Sequence, residues 1–370
     1  MKLLERFAWI FRLVSRWCNI DVFAVRALIC VALCNFILVA LLANLSGAEP
    51  APIAGSKAKP PEWAYGTGPA AALRPLSPHS PAEKTAIDNS PQRLPGSTLA
   101  FTGKEANDPF NPADWYPADH PKMPAIVAHG RKSAGIWACD FCHFPNGKGK
   151  PENAAVSGLP VSYFIHQMQD FRAGLRHSAD PGKQNTALMT AYAKAMTDEE
   201  IKSAAEYFGA MSWSAGTNPW IKVVETDTVP KTRLSSGLYI PIEGAGSEAL
   251  GDRIIEVPQH PERTEVQRDP RAGFIAYVPF GTLRKGKVLV DTGSHGRTEA
   301  CALCHGEGLH GLGPVPGIAG RSASYIARQL YDMQQGTRKG EWSELMKPVV
   351  MKLSEDEILQ IAGYTASLKP

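Results

Sequence analysis

Two pentads carry the chemistry of this 370-residue chain: Cys139-Asp-Phe-Cys142-His143 and Cys301-Ala-Leu-Cys304-His305. Each sets two thiols three positions apart, so one helical turn presents both sulfurs on the same side. A histidine follows at once, with a ring nitrogen to offer a metal. C-x-x-C-H is the attachment signature of c-type haem. The sulfurs form thioethers to the two vinyl groups on one porphyrin edge, and the histidine reaches the iron. Two rival chemistries fit worse. A zinc ribbon sets its C-x-x-C pairs ~15–20 residues apart, whereas Cys142 and Cys301 are 159 positions apart. A thioredoxin-like redox pair explains neither histidine, and the chain lacks its β-α-β pattern.

The pentads belong to an internal repeat. At a constant offset of 162, Gly149 matches Gly311, Gly158 matches Gly320, Ser162-Tyr163 matches Ser324-Tyr325, and Gln167 matches Gln329. Asp170 and Asp332, Gly174 and Gly336, and Arg176 and Arg338 continue the series. The offset then falls to 157, pairing Met189 with Met346, Thr197 with Ser354 and Glu200 with Glu357. So long a unit means two copies of one domain, not a solenoid. The copies span 122–215 and 282–370.

A haem iron held by one histidine needs a sixth ligand. Met168, Met189, Met196 and Met211 are the methionines near the first pentad, and Met333, Met346 and Met351 those near the second. Only Met189 and Met346 occupy the same place in both copies. Each sits on a segment expected to be irregular enough to fold over a haem face. The other methionines read as core filler, and His166, His177 and His310 are weaker candidates without a repeat partner. The sequence thus nominates Cys139, Cys142, Cys301 and Cys304 as thioether residues of two covalent haems c. His143, Met189, His305 and Met346 are its axial iron ligands.

The elements that position these groups are mostly helical. Tyr163, Phe164, Gln167, Met168 and Phe171 fall on one helix face that Gly174 can end. Thr197 with Glu200, and Ser354 with Glu357, read as capping boxes. The following helices bury Ile201, Ala205 and Phe208, or Ile358, Ala362 and Thr365. Between the copies, 216–281 reads as a small β-rich insert, with strand candidates around 223–224, 238–240, 253–257 and 274–278 and a further one at 288–290. Residues 49–121 begin with a Pro-rich run, read as an extended linker. From about Asp108, with Phe110, Trp115 and Tyr116, it is expected to lie against the folded body.

Ahead of this, 27–45 is a run of nineteen residues without a charge, long enough for a transmembrane helix. Residues 1–48 read as a signal or anchor segment, with Arg and Lys before the run placing the rest outside the cytoplasm. These 48 residues carry five basic and two acidic side chains, which leaves the remainder balanced at 34 and 34. Without a basic patch, nucleic acid is excluded as a partner. No nucleotide-binding glycine string, H-E-x-x-H or G-x-S-x-G is present.

The pentads, the G-x-x-x-S-Y-x-x-x-Q-x-x-D-x-x-x-G-x-R strings and the M-x₆-[ML]-[TS] segments mark a resemblance. Each copy resembles a class I cytochrome c, and the chain is similar to the tandem two-haem cytochromes c of bacterial electron-transport chains. The resemblance covers the two copies, roughly half the chain. It implies a mainly α fold of two cytochrome c domains in tandem, here with the β-rich insert and the N-terminal hydrophobic helix. In that family a proline lends its carbonyl to the proximal histidine. Pro316 holds that place in the second copy, and Ala154 replaces it in the first. His/Met ligation fills all six iron positions and raises the reduction potential, which implies a single-electron carrier, not an enzyme. Its partners would be redox proteins of a respiratory or dehydrogenase-linked chain, on the periplasmic side of the inner membrane, with the chain tethered through its N-terminus or secreted. Two alternatives are a haem enzyme of peroxidase or thiosulfate-oxidising type, and a cytochrome subunit of a membrane-bound dehydrogenase or oxidase complex.

Overall fold

The repeated strings fold alike. In a computed structural model that describes residues 60–67, 90–213 and 220–370, the first copy contains α1 (Cys139–His143), α2 (Val161–Arg172), α3 (Gln184–Ala195) and α4 (Asp198–Gly209). The insert supplies a sheet of β1 (Ile221–Glu225), β2 (Ile255–Pro258) and β3 (Phe274–Val278). The second copy adds α5 (Thr282–Gly296), α6 (Ala302–His305), α7 (Ala323–Gln334) and α8 (Glu355–Ser367). The apolar run 27–45 and its expected helix lie outside the described residues. Among those described, no helix is long and apolar enough to cross a membrane.

Helix α2 buries Gln167, Met168, Asp170 and Phe171, and Gly174 follows it at φ 71°. Helices α4 and α8 both open on complete capping boxes, Thr197 with Glu200 and Ser354 with Glu357. Each box satisfies two amide donors that a helix start leaves orphaned. One hydrogen bond recurs as well: Gly158 N donates to Phe208 O, and Gly320 N to Thr365 O, both at 2.9 Å.

In the insert, β3 lies centrally, parallel to β1 and antiparallel to β2, with Phe274 opposite Ile221 and Tyr277 opposite Ile255. Its alternation buries Phe274, Ala276 and Val278, and this face shares one apolar core with Leu289, Ile358 and Ala362 of the second copy. The insert is therefore welded to that copy's core. The run 288–290, expected as a strand, is part of helix α5 instead. Its β-branched residues follow the packing: a Cβ on Gly286 would come within 2.1 Å of Gln360 O, so α5 lies backbone to backbone on α8. Tertiary burial of Leu289 and Val290 overrides their strand preference.

Strand β2 also contributes a buried carboxylate. Glu256, 2% exposed, accepts from Ser322 Oγ at 2.7 Å and from the amides of Ala323 and Ser324 at 3.0 Å, with Ser324 Oγ as a further donor. It caps α7 from outside the helix, where the positive end of the dipole favours an anion. Glu256→Ala strands these donors in a dry site. We expect a loss on the order of 3 kcal/mol, read as a lower denaturant midpoint at unchanged slope.

The linker reading of 49–121 gives way at two places. A helical turn at Glu62–Tyr65 buries Ala64 and Tyr65, with Tyr65 OH donating to Asp332 Oδ1 at 2.8 Å and Arg328 reaching Ala64 O at 2.6 Å. Residues 90–121 are packed too. Trp115 and Tyr116 form a small core with Leu94, Ala106 and Ala113, and Trp115 Nε1 donates to Gln267 O at 2.8 Å. A few aromatic anchors on a Pro-rich chain bury enough area to offset its limited entropy.

Candidate haem centres

Each pentad forms a helical turn, α1 in the first copy and Cys301 leading into α6 in the second. Both histidines are buried, and each is locked at the same ring nitrogen. His143 Nδ1 lies 2.8 Å from Ala154 O and His305 Nδ1 lies 2.8 Å from Pro316 O. A carbonyl accepts only from an N–H, so Nδ1 carries the proton and Nε2 keeps its lone pair for a metal. Burial holds both imidazoles below their usual pKa, in the neutral form that ligation needs. Ala154 thus performs the task expected of a proline. Consequently Pro316→Ala is expected to leave the second haem low-spin and to change stability by about 1 kcal/mol or less. A high-spin spectrum would show the ring itself to be necessary.

The residue after each histidine is held in an unusual conformation. Gly306 has φ 76° and ψ 173°, and Phe144 has φ 60° and ψ 156°. That region is essentially confined to glycine, and a side chain there costs about 1–3 kcal/mol. Phe144 is kept because its ring, 1% exposed, joins the core of Ile221 and Phe274.

Burial pushes the Cys139 thiol up to about 12 and the Cys301 thiol to about 11. Among the described residues no three His, Cys, Asp or Glu side chains are grouped to hold a metal ion on their own.

A half-open cleft lies at the first pentad. His143 and Met189 both line it. Its walls include Leu159, Phe164 and Phe171, and its charged lining is Arg176, Lys183 and Arg328 with Glu152 and Asp332. The Lys183 amine is buried without a hydrogen-bond partner, and burial lowers its pKa to about 7. An apolar plate carrying carboxylates at one edge fits this cleft, and haem has that shape.

Met189 lies within the helix α3, not on an irregular segment, whereas Met346 sits between the helical turns Glu341–Glu344 and Lys347–Val350. A helix serves equally well, since it places Met189 on the same core as Cys139. Met346 likewise packs on one core with Cys301. Met168 also lines the first cleft, as does the exposed His177. Met196 and Met333 are buried in cores, Met211 packs on one, and Met351 is exposed. His166 stacks on Trp342 at 4.6 Å, and His310 faces Lys369 O.

The repeat pairs Arg176 with Arg338. Neither is on the surface. The copies meet about a pseudo-two-fold axis at which Arg176 and Arg338 form an antiparallel bridge, flanked by His177 N to Thr337 O and Lys339 N to Leu175 O, both 2.9 Å. Arg176 donates to Gln167 Oε1 and Gln329 Oε1, each at 2.9 Å, and to Tyr325 OH at 3.3 Å. Arg338 mirrors this with Gln329 Oε1 at 2.9 Å, Gln167 Oε1 at 2.8 Å and Tyr163 OH at 2.7 Å. Burial alone would raise the Tyr325 phenol, but Arg176 and Arg338 outweigh it and bring its pKa below the ordinary value. The repeat pairing of these residues was the signal, and their meeting across the axis was not visible in it.

No family model matches the chain. Over 68 residues it is 38% identical to cytochrome c-554(548) of Halomonas halodenitrificans, covering 18% of this chain and 82% of that protein. It is 25% identical over 247 residues to cytochrome c4 of Azotobacter vinelandii, covering 65% of this chain and 89% of the relative. A thiosulfate dehydrogenase electron acceptor of Stutzerimonas stutzeri is 23% identical over 246 residues, covering 66% and 84%. Paired C-x-x-C-H turns with locked histidines, together with these relatives, define a class: the chain belongs to the c-type cytochromes. Within it, this is a tandem class I dihaem cytochrome c, a bacterial electron carrier with two covalently bound haems c.

Proposed function

We propose that Cys139 and Cys142 hold the first haem and Cys301 and Cys304 the second, with His143/Met189 and His305/Met346 as axial pairs. The carrying observation is that each histidine is locked through Nδ1 at the same distance, with its pentad's first cysteine on a core that also holds the repeat-paired methionine. When bound, haem supplies a one-electron iron couple. The chain's own part is to hold Nε2 on one face and a soft thioether on the other, which favours the reduced state. Lys183, whose buried amine has no hydrogen-bond partner, would neutralise a propionate at the first cleft. The domains run as 122–215 and 282–370, with 216–281 between them as a β-rich insert.

The carrier works on the periplasmic side of the inner membrane, tethered or released according to the fate of 27–45. It takes electrons from a dehydrogenase or quinol-oxidising complex. The relative described as an electron acceptor of thiosulfate dehydrogenase supports a dehydrogenase donor. The test is haem stoichiometry on the exported chain. Intact mass should show two haems in wild type and one in the Cys301→Ser/Cys304→Ser variant. Two haems remaining in that variant would defeat the assignment.

A further inference from the structure

Resting on that haem assignment, we propose that partners exchange electrons with this protein through the second haem edge alone. The contact is an apolar docking face, and the first haem is reached from within the molecule. The two copies offer a like-for-like comparison, because thioether attachment places the residues between the cysteines at one porphyrin edge. In the first copy that edge is closed by the insert. Phe141 is only 8% exposed, and the guanidinium of Arg268 covers its ring at 3.9 Å. Asn146 Nδ2 donates to Pro270 O at 2.7 Å. The covering loop is pinned in turn: Asp269, fully buried, accepts from Arg263 Nε and from Arg271 N, each at 2.8 Å.

In the second copy the same face is bare. Leu303, the counterpart of Phe141, is 67% exposed, and Leu312 is 60% exposed on a strand beside α6. Leu345, next to Met346, is 74% exposed. The segment following it is tied to the same edge through Thr298 Oγ1, which donates to Val349 O at 3.2 Å. Exposed leucines clustered in this way mark an interaction surface.

Charge decides what kind of partner fits. At the first edge the cover is charge-matched, since Arg268 stands in the field of the buried Asp140. The second edge has Ala302 and Leu303 where the first has Asp140 and Phe141, so no carboxylate lies between its cysteines, and the acidic groups that flank it, Glu299 and Glu307, stand exposed at its rim. The occupant is accordingly a redox protein presenting an apolar face around its own cofactor, with basic groups only at the rim, where they would meet Glu299 and Glu307. Electron tunnelling falls steeply with distance, so the pinned loop that keeps a partner off the first edge also removes it as a port.

The test uses the full-length holoprotein in stopped flow, with a reduced single-haem cytochrome c as the protein probe and hexaammineruthenium(II) as the small one, both at high salt. Leu303→Glu and, separately, Leu312→Glu should slow reduction of both haems by the protein probe about tenfold or more, because docking would then bury an unpaired carboxylate. The ruthenium rate should stay within about twofold, and Ile242→Glu, at an exposed apolar position of the insert, should change neither. Rapid reduction of the first haem by the protein probe in both Leu variants, or equal slowing with ruthenium, overturns the proposal. Haem content and low-spin spectra of the same samples report separately on the haem assignment.

Discussion

Replacing Met346 by alanine is expected to open the second haem to carbon monoxide and to lower its reduction potential on the order of 100 mV, a fraction of the roughly 0.8 V over which axial ligation sets haem potentials. The thioether is a soft donor that favours Fe(II), and alanine leaves a site that water fills, which favours Fe(III). Met346 sits half-buried between two short helical turns, on one core with Cys301 and Met333. Met351, five residues on, is exposed. Met189→Ala tests the first centre more sharply, because Met168 lines the same cleft. Carbon monoxide binding in Met189→Ala but not in Met168→Leu is the expected outcome. Unchanged spectra in Met189→Ala, with binding in Met168→Leu, would transfer the ligand role to Met168.

Arg338→Ala carries the second large effect. The side chain is 7% exposed and donates to Gln329, Gln167 and Tyr163 across the pseudo-two-fold axis. Its removal takes one donor each from Gln167 and Gln329, which keep Arg176, and the partner of the Tyr163 hydroxyl, a loss on the order of 2 kcal/mol. It also removes a buried positive charge near the first cleft, and with less positive charge nearby the ferric state gains. Both haem potentials should therefore fall while ligation stays low-spin. Chemical denaturation and spectroelectrochemistry on one preparation measure the two effects. Arg338→Lys should recover part of the potential but little of the stability, since an ammonium cannot reproduce the planar fork. A potential that rises, or stability unchanged within about 0.5 kcal/mol, would mean that the network is not a working contact between the copies.

Much of the local structure was legible because its causes are local. Thr197 with Glu200 and Ser354 with Glu357 cap their helices as the three-residue spacing dictates. Gly174 ends α2 in a left-handed turn that glycine alone enters without strain. The run 288–290 was misread because alternation and helical periodicity are indistinguishable in three apolar residues. The Pro-rich segment was misread at 60–67 and 90–107 because composition reports mean burial, whereas Tyr65 and Leu94 anchor it individually; from Asp108 onward the packing is the expected one.

By itself the sequence determined the covalent chemistry, the duplication and the repeat-paired methionines. All three are written in residue type and spacing, over distances that a helical turn or an unbroken offset spans. Only the tertiary structure decided that the carbonyl of Ala154 stands in for a proline's, that Glu256 caps a helix 67 positions away, and that Arg176 and Arg338 meet at an axis. It also decided that Arg268 covers Phe141 of the first pentad while Leu303 of the second is bare. These are contacts between segments far apart in the chain. Their partners are chosen by the packing of whole surfaces, a property that no local pattern encodes.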